Sequence, residues 1–515
     1  MVEDFVSKIV QQTSRRTEGC ALHMPSLRSN GVYSAFTYRE LGWSIEGYRT
    51  ELAIAGLQEG ARILVVLPIC FEMYSTILAI LSAKMTVVFF DRGLSLSQIN
   101  ALIADANVQG LLLPKKRRWM KHLMRNIWRA KECQLGQGLT LFLRKDITPR
   151  SNKDEALITF TSGTTGKPKG ANRTHTLLSH QHAALANNLP ESSDEVDMSC
   201  FPVFLLHNLG SGLTAVFPKL SVAKVSKFDP EVLCKQIAEY EVTRLSGAPA
   251  FLHKLCSFIV ANKIELPSLR TVLVGGAPVP QKLCRLMQTA FPDRQCWVVY
   301  GSTEAEPIAH ANIEEVLQAQ GEGYFVGKPV DEVEFRITKL PPPHSLNEDY
   351  ILNNSCAPME VGEVMVKGPH VLQNYIDNHP DNAATKIPSR RGGIWHRTGD
   401  LAYLDAEGHI WLQGRASQVV ASARGSVYPF QVEAKVNNIE SVSISALTQI
   451  DQKVYLAYQG REETEDPAPE IKKILISYGL EYAEIKSIKS MPVDARHNSK
   501  VDRQKLAKII TRRWF

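Results

Sequence analysis

Apolar residues along this chain gather in short unbroken runs, separated by stretches in which they recur at helical spacing. Short runs read as buried strands and the spaced stretches as helices packing one face. The most apolar segment, residues 63–90, is interrupted by Pro68, Glu72 and Lys84, so it predicts strand–helix–strand and not a membrane span. Just before it, Thr37-Tyr-Arg-Glu-Leu41 opens a helix. Residues 155–310 alternate apolar strands (Ala156-Leu-Ile-Thr-Phe160, Thr271-Val-Leu-Val274, Trp297-Val-Val299) with helical stretches, which is an α/β arrangement. Later strands are expected at Gly362-Glu-Val-Met-Val-Lys367 and His409-Ile-Trp-Leu412. Pro341-Pro-Pro343 and the Asn/Ser-rich run to Cys356 predict a loop insertion. From Ala416 the pattern shortens into small strands and helices, with an acidic loop at 461–470. A boundary at Gly414-Arg415 leaves a C-terminal domain of about 100 residues, within the usual domain range.

At 515 residues the chain is too long for one ordinary core. A hydrophobic content of 44% with 22% charged residues is that of a soluble globular protein. Nine cysteines without a C-x-x-C pair argue for a reducing compartment and against disulfides or zinc. No basic-then-apolar leader opens the chain, so a cytoplasmic protein is expected. The net charge is +6, but eight Lys/Arg and no acid lie between Lys115 and Lys131, which leaves −2 for all other residues. Basicity this local does not make a nucleic-acid-binding protein. A helix over 115–131 would put Trp119, Met120, Leu123, Met124, Ile127 and Trp128 on one face. That face either packs on the core or contacts an anionic membrane, an acidic carrier protein or a partner enzyme.

The densest chemistry follows the strand at 156–160. Thr161, Ser162, Gly163, Thr164, Thr165, Gly166, Lys167, Pro168, Lys169 and Gly170 run in succession. Gly166, Pro168 and Gly170 exclude regular structure through the run. Hydroxyls, lysines and glycine-exposed N–H groups together suit a polyphosphate. The spacing is not that of a Walker A loop, because two residues separate Gly163 from Gly166 and Pro168 follows Lys167.

This run resembles the phosphate-binding signature of the adenylate-forming superfamily, which includes acyl-CoA synthetases, nonribosomal adenylation domains and luciferases. Four further motifs follow in that family's order. Tyr300-Gly301-Ser302-Thr303-Glu304 matches its Y-G-x-T-E pattern; the resemblance implies that Tyr300 stacks on adenine, Thr303 contacts the α-phosphate and Glu304 holds Mg²⁺. Gly275-Gly276-Ala277-Pro278 matches the turn along the adenine and acyl pocket. Asp400, in Thr398-Gly-Asp400, would accept the ribose hydroxyls, with Arg415 adding a ribose or phosphate contact. Lys500 aligns with the mobile-domain lysine that bridges the carboxylate and the α-phosphate. The implied cofactors are ATP and Mg²⁺, and the implied partner is a small carboxylic acid. Pocket walls near Phe204, Leu205, His207, Gly210 and Leu213 are small or apolar, which suits an aliphatic acid. The implied fold is a large N-terminal domain of layered α/β parts with a barrel-like part (1–414), a hinge at 415–418 and a small mobile α+β domain (419–515).

The chain departs from the thioester-forming pattern at the hinge. Gln418 replaces the usual acid and Ala421 the usual lysine, and Asn498-Ser499 replaces Ser-Gly before Lys500. Leu205 stands where a histidine is common, with His207 two residues on. The hinge region, Tyr428-Pro429, Glu433, Thr385-Lys-Ile387 and residues 492–500 are similar to the β-lactone synthetases of olefin biosynthesis. Those enzymes adenylate a long-chain 3-hydroxy acid and close it on its own hydroxyl without a thiol. Transfer to CoA or a carrier-protein thiol is the competing expectation, and a non-catalytic nucleotide-binding protein the third.

Overall fold

The computed structural model describes residues 3–511 except 30, 91–95, 124–130, 145–153, 162–168, 190–191, 221–227, 341–345, 377, 462–464 and 495–498. Residues 63–90 fold as their pattern predicts. Arg62–Val65 and Thr86–Phe90 are parallel neighbours connected through the helix Phe71–Ser82. Their unbroken apolar character has a physical cause, because the sheet is covered on both faces. Ile63 and Val87 pack into one core with Ile77 and Leu78, while Leu64 and Val88 pack into another with Ile103 and Ile158. The helix Tyr38–Ile54 begins at a capping box in which Thr37 and Glu40 satisfy each other's backbone N–H.

Two large mixed sheets build most of the N-terminal domain. A seven-stranded sheet carries, in spatial order, Lys131–Leu135, Leu139–Leu143, Gly110–Pro114, Arg62–Val65, Thr86–Phe90, Glu155–Thr161 and Lys169–Thr174. A nine-stranded sheet includes the parallel run Val196–Ser199, Arg244–Gly247, Thr271–Gly275 and Gln295–Ser302, then turns back antiparallel through Ala305–Asn312. A third sheet carries Tyr324–Phe325, Ile410–Arg415, Ile394–Leu404, Gly362–Lys367 and Glu334–Thr338, with Lys386–Pro388 paired on the side. Its outer strands do not meet, so the barrel-like part expected from the resemblance is an open sheet; among the described residues no sheet closes.

Two local expectations change. Residues 115–131 are not one helix. Lys115–Leu123 forms 3₁₀ turns broken at Arg117, and Lys131 already starts the edge strand Lys131–Leu135. Four consecutive cations leave like charges facing one another at helical spacing, which disfavours a regular helix. Met120 packs on the core beside Leu64 and Leu113, whereas Trp119 is 58% exposed. The remainder of that stripe, Met124, Ile127 and Trp128, lies outside the described residues. The expected insertion at 341–356 contains a short helix, Glu348–Asn353, capped by Asn347 and anchored by buried Ile351 against Trp395 and Met365.

Beyond Arg415 the chain builds a small α+β domain with cores of its own. The strands Val442–Ile450, Lys453–Gly460 and Glu484–Ser487 pack under Pro429–Asn437 and Ala468–Ser477 on one side and Arg503–Thr511 on the other. It docks on the larger domain through polar contacts. Glu322 accepts hydrogen bonds from Gln431 (2.9 Å), Lys435 (3.2 Å) and Tyr478 (2.6 Å). Lys282 donates to the Ile439 and Val442 carbonyls, and the Ser499 hydroxyl accepts from the Ala250 N–H at 3.1 Å. No helix among the described residues is long and apolar enough to cross a membrane.

Candidate active site

Thr303 and Glu304 form the tight turn of the hairpin between Gln295–Ser302 and Ala305–Asn312. The Ser302 hydroxyl accepts the Glu304 N–H at 3.2 Å and so caps the turn. Tyr300 points from that hairpin to the Ile394–Leu404 strand, where its hydroxyl donates to Asp400 Oδ2 at 2.8 Å. Asp400 sits one residue after a backbone irregularity at Gly399, whose φ of +74° favours glycine. The register pairs Asp400 with Arg415 on the next strand. Their side chains meet at 2.9 Å between Arg415 Nε and Asp400 Oδ1, and Arg415 Nη1 donates to the Thr398 carbonyl at 2.8 Å. Each Asp400 oxygen therefore holds one protein partner and keeps acceptor capacity for a diol.

The turn at Gly275-Gly276 explains its own composition. A Cβ on Gly275 would lie 2.8 Å from the Val299 carbonyl oxygen, and Gly276 has a φ of +81°. Ala277 follows at an intermediate exposure. Gly301 is less tightly constrained, with the Ala305 carbonyl and Glu306 3.1–3.3 Å from where its Cβ would stand.

Glu304 is the carboxylate best placed for a hard cation. Tyr375 donates to Oε1 at 2.7 Å, and among the described residues Oε2 accepts no hydrogen bond. Burial raises the Glu304 carboxyl, but His396, Lys386 and the Tyr375 hydrogen bond outweigh it and hold it well below the usual range. An ionised carboxylate oxygen with no partner among the described residues suits Mg²⁺, which is commonly held by one or two carboxylates plus substrate phosphates. Burial conversely pushes Lys386 down, against the pull of Glu304.

Lys500, in the small domain, lies within electrostatic reach of Arg415, Asp400 and Glu304. Its loop is tied back on itself by Asp494, which accepts the Lys500 N–H at 2.8 Å and donates its own N–H to the Lys500 carbonyl at 2.8 Å. The side chain is open to solvent, yet enough protein surrounds it that crowding lowers its pKa, as does Arg415; Asp400, Asp494 and Glu304 oppose this. Residues 495–498, including Asn498, lie outside the described residues.

The phosphate run is bracketed by structure. Thr161 and Lys169 are register partners at the ends of antiparallel strands, and Ser162 to Pro168 lie outside the described residues. Lys169 pairs with Asp381 at 2.8 Å. Gly170 was expected to interrupt regular structure; it lies inside the strand Lys169–Thr174, where a Cβ would come within 2.8 Å of Ile376 and Phe160.

The five pocket candidates are spread around the helix Pro202–Ser211 and its end. Phe204 joins Leu273 and Leu185, beside Trp297 and Val299, on the strands that lead to the Gly275 and Tyr300 motifs. Leu205 is fully buried in the core around Phe5 and Ile9. His207 is buried with its Nδ1 2.9 Å from His182 Nδ1. Gly210 abuts Phe5, and the Leu213 carbonyl accepts from Tyr38 at 2.8 Å. Helical spacing sends neighbouring positions to different faces, so Phe204 stands apart from Leu205 and Gly210, which pack toward the N-terminal helix Phe5–Arg15, while Leu213 meets the start of the helix Tyr38–Ile54.

Sequence reasoning missed Tyr375, Lys386, His396, Arg173 and Glu306. Arg173 donates to Thr159 Oγ1 at 2.6 Å and to the Thr303 carbonyl at 3.3 Å. Burial pushes the Glu306 carboxyl up to about 7, while Arg173 and Lys500 pull it down. Arg173, Glu306, Lys386 and His396 each lie in or beside a quoted motif, which was the available signal, whereas Tyr375 lies in none.

The family model for AMP-binding enzymes matches residues 12–376. An olefin beta-lactone synthetase from Stenotrophomonas maltophilia is 27% identical across 98% of this chain and 97% of that protein. Among solved structures, the amide bond synthetase McbA from Marinactinospora thermotolerans has a TM-score of 0.77 at 19% identity, covering 98% of this chain and 100% of that one. O-succinylbenzoate coenzyme A synthetase (MenE) from Bacillus subtilis, in complex with ATP and magnesium ion, has a TM-score of 0.73 at 22% identity, covering 97% and 99%. The family match spans most of the larger domain, and it ends at Ile376, just past the segment that grips Glu304; the chain belongs to the AMP-binding enzyme family and is an adenylate-forming ligase.

Proposed function

We propose that this enzyme activates an apolar, long-chain 3-hydroxy carboxylic acid as its acyl-AMP and then closes the acid on its own hydroxyl as a β-lactone. The observation that carries the first half is the Tyr300–Asp400–Arg415 cluster beside Glu304 on the large domain, with Lys500 of the small domain within electrostatic reach of Asp400, Arg415 and Glu304. A carboxylate oxygen attacks the α-phosphorus and pyrophosphate leaves. Two anions must meet, so positioning and positive charge supply most of the catalysis. Lys500 would bridge the acid and the α-phosphate; Asp400 and Arg415 would hold the ribose, Tyr300 the adenine and Thr303 the phosphate. The loop residues Thr161 to Lys169 would hold the polyphosphate, with the Gly275–Ala277 turn along the adenine. Mg²⁺ on Glu304 would neutralise phosphate charge when bound. The aliphatic chain would run along Phe204, Leu273 and Trp297, each buried CH₂ contributing about 0.8 kcal/mol.

The second half is supported by the hinge and by the relatives. Ala421 and Gln418 stand where thioester-forming members carry lysine and acid, and the olefin beta-lactone synthetase relative aligns along 98% of this chain and 97% of its own length. In that step the 3-hydroxyl oxygen bonds to the acyl carbon, the bond to the AMP oxygen breaks, and the hydroxyl proton is released. The competing reading is transfer to CoA, which the likeness to a coenzyme A synthetase keeps in view. We infer that rotation about 415–418 moves Lys500 in and out.

Mass spectrometry of products from long-chain 3-hydroxy acids, with ATP, Mg²⁺ and CoA all present, separates the two. A product one water lighter than the acid, released with AMP, is expected. An acyl-CoA adduct in its place would make this a thioester ligase.

A further inference from the structure

The segment from Leu372 to Tyr375 holds Glu304 at two points. The Leu372 N–H donates to the Glu304 carbonyl at 2.7 Å, and the Tyr375 hydroxyl donates to Glu304 Oε1 at 2.7 Å. Tyr375 is itself held rigidly. Asn382 bonds both its backbone groups, accepting its N–H and donating to its carbonyl, each at 2.7 Å. Its ring, 4% exposed, has Lys386 Nζ at 5.0 Å and Lys169 Nζ at 5.4 Å from its centroid, distances at which a cation is attracted to an aromatic face. Lys386 is fixed in turn by a 2.5 Å bond to the Leu372 carbonyl, and Lys169 by Asp381. Lys169 is the last lysine of the phosphate run and the first residue of the strand that leaves it.

We propose that Tyr375 is a positioning residue for the metal-binding carboxylate, its hydroxyl holding Oε1 of Glu304 so that Oε2 faces the metal–nucleotide complex. The lysines about the ring tie that orientation to the strand leaving the phosphate loop, so nucleotide phosphates and metal ligand are placed by one rigid unit. Groups that orient a metal ligand commonly change metal affinity by about 10–100-fold when removed. The inference rests on Glu304 as the metal ligand in the proposed function.

The test is Mn²⁺ binding, followed by electron paramagnetic resonance, to the full-length protein with α,β-methylene-ATP. Tyr375→Phe keeps the ring between the lysines and removes only the hydroxyl. It is expected to weaken Mn²⁺ binding about tenfold, with affinity for the metal-free nucleotide changed less than twofold. In a Glu304→Gln background the same substitution should add no further loss, because the two act through one interaction. Mn²⁺ affinity within twofold of wild type in Tyr375→Phe, or additive losses in the double variant, would overturn the positioning role. Wild-type Mn²⁺ binding in Glu304→Gln alone would instead remove Glu304 as the ligand. Should Tyr375→Phe lose its cooperative unfolding, Lys386→Gln, which leaves the hydroxyl in place, must still weaken Mn²⁺ binding; unchanged affinity there also overturns the proposal.

Discussion

Asp400 is the residue to which the proposed function gives the ribose end of the nucleotide. Tyr300 occupies one of its oxygens and Arg415 the other, and an amide could not accept at both. Asp400→Asn is expected to raise the KM for ATP at least tenfold and to cost about 1–3 kcal/mol of stability, the scale of an unsatisfied buried partner; steady-state kinetics and denaturant unfolding check each part. The wider polar shell about Asp400 was only half legible. Asp400, Glu304 and Lys500 stand in local motifs, whereas Tyr375 reaches Glu304 across 71 residues of sequence, which no spacing rule reveals. Lys500 has a pH signature of its own. Its pKa is lowered by crowding, so its ammonium is lost at lower pH than that of a free lysine. The adenylation rate should therefore fall on an alkaline limb below the ordinary lysine range, and that limb should vanish in Lys500→Ala.

Elements were legible where burial imposes a period. The strand–helix–strand unit of Arg62–Val65, Phe71–Ser82 and Thr86–Phe90 is covered on both faces, so its strands had to be mostly apolar. Residues 115–131 misled because their stripe has helical spacing while their charges repel. The short helix Glu348–Asn353 was hidden because one buried residue, Ile351, carries its packing. Asn347 at its start was the available signal. The Gly275 turn was legible as a turn, but not the reason for it, which is the Val299 carbonyl across the strand pair. Gly275→Ala would press a methyl group against that oxygen. It is expected to cost about 1–3 kcal/mol, the usual range for overpacking, and to raise the KM for ATP; thermal unfolding with and without nucleotide measures both.

At the scale of the whole molecule, two ionisable groups at the domain contact favour their neutral forms. His253 accepts from Arg461 at 3.0 Å, and burial, with Arg461 beside it, holds its pKa at about 4. Burial lowers Lys282, which donates to Ile439 and Val442, to about 8. Each group binds a proton more readily once released to water, so docking weakens as protons are supplied. Docking of the small domain should loosen as pH falls from 6.5 toward 4, through His253, and tighten as pH rises from 8 toward 10.5, through Lys282. Hydrogen exchange of residues 429–450 against pH reads this directly, and His253→Gln should flatten the acidic limb. In the proposed function docking matters because it would deliver Lys500 to the other domain's site. Acid-dependent exchange of labelled pyrophosphate into ATP measures that delivery. Wild-type protein with a long-chain 3-hydroxy acid should exchange label, and Lys500→Ala should do so at least about 10²-fold more slowly, the scale of one preorganised charge. Exchange at the wild-type rate in Lys500→Ala would contradict the site as assembled here.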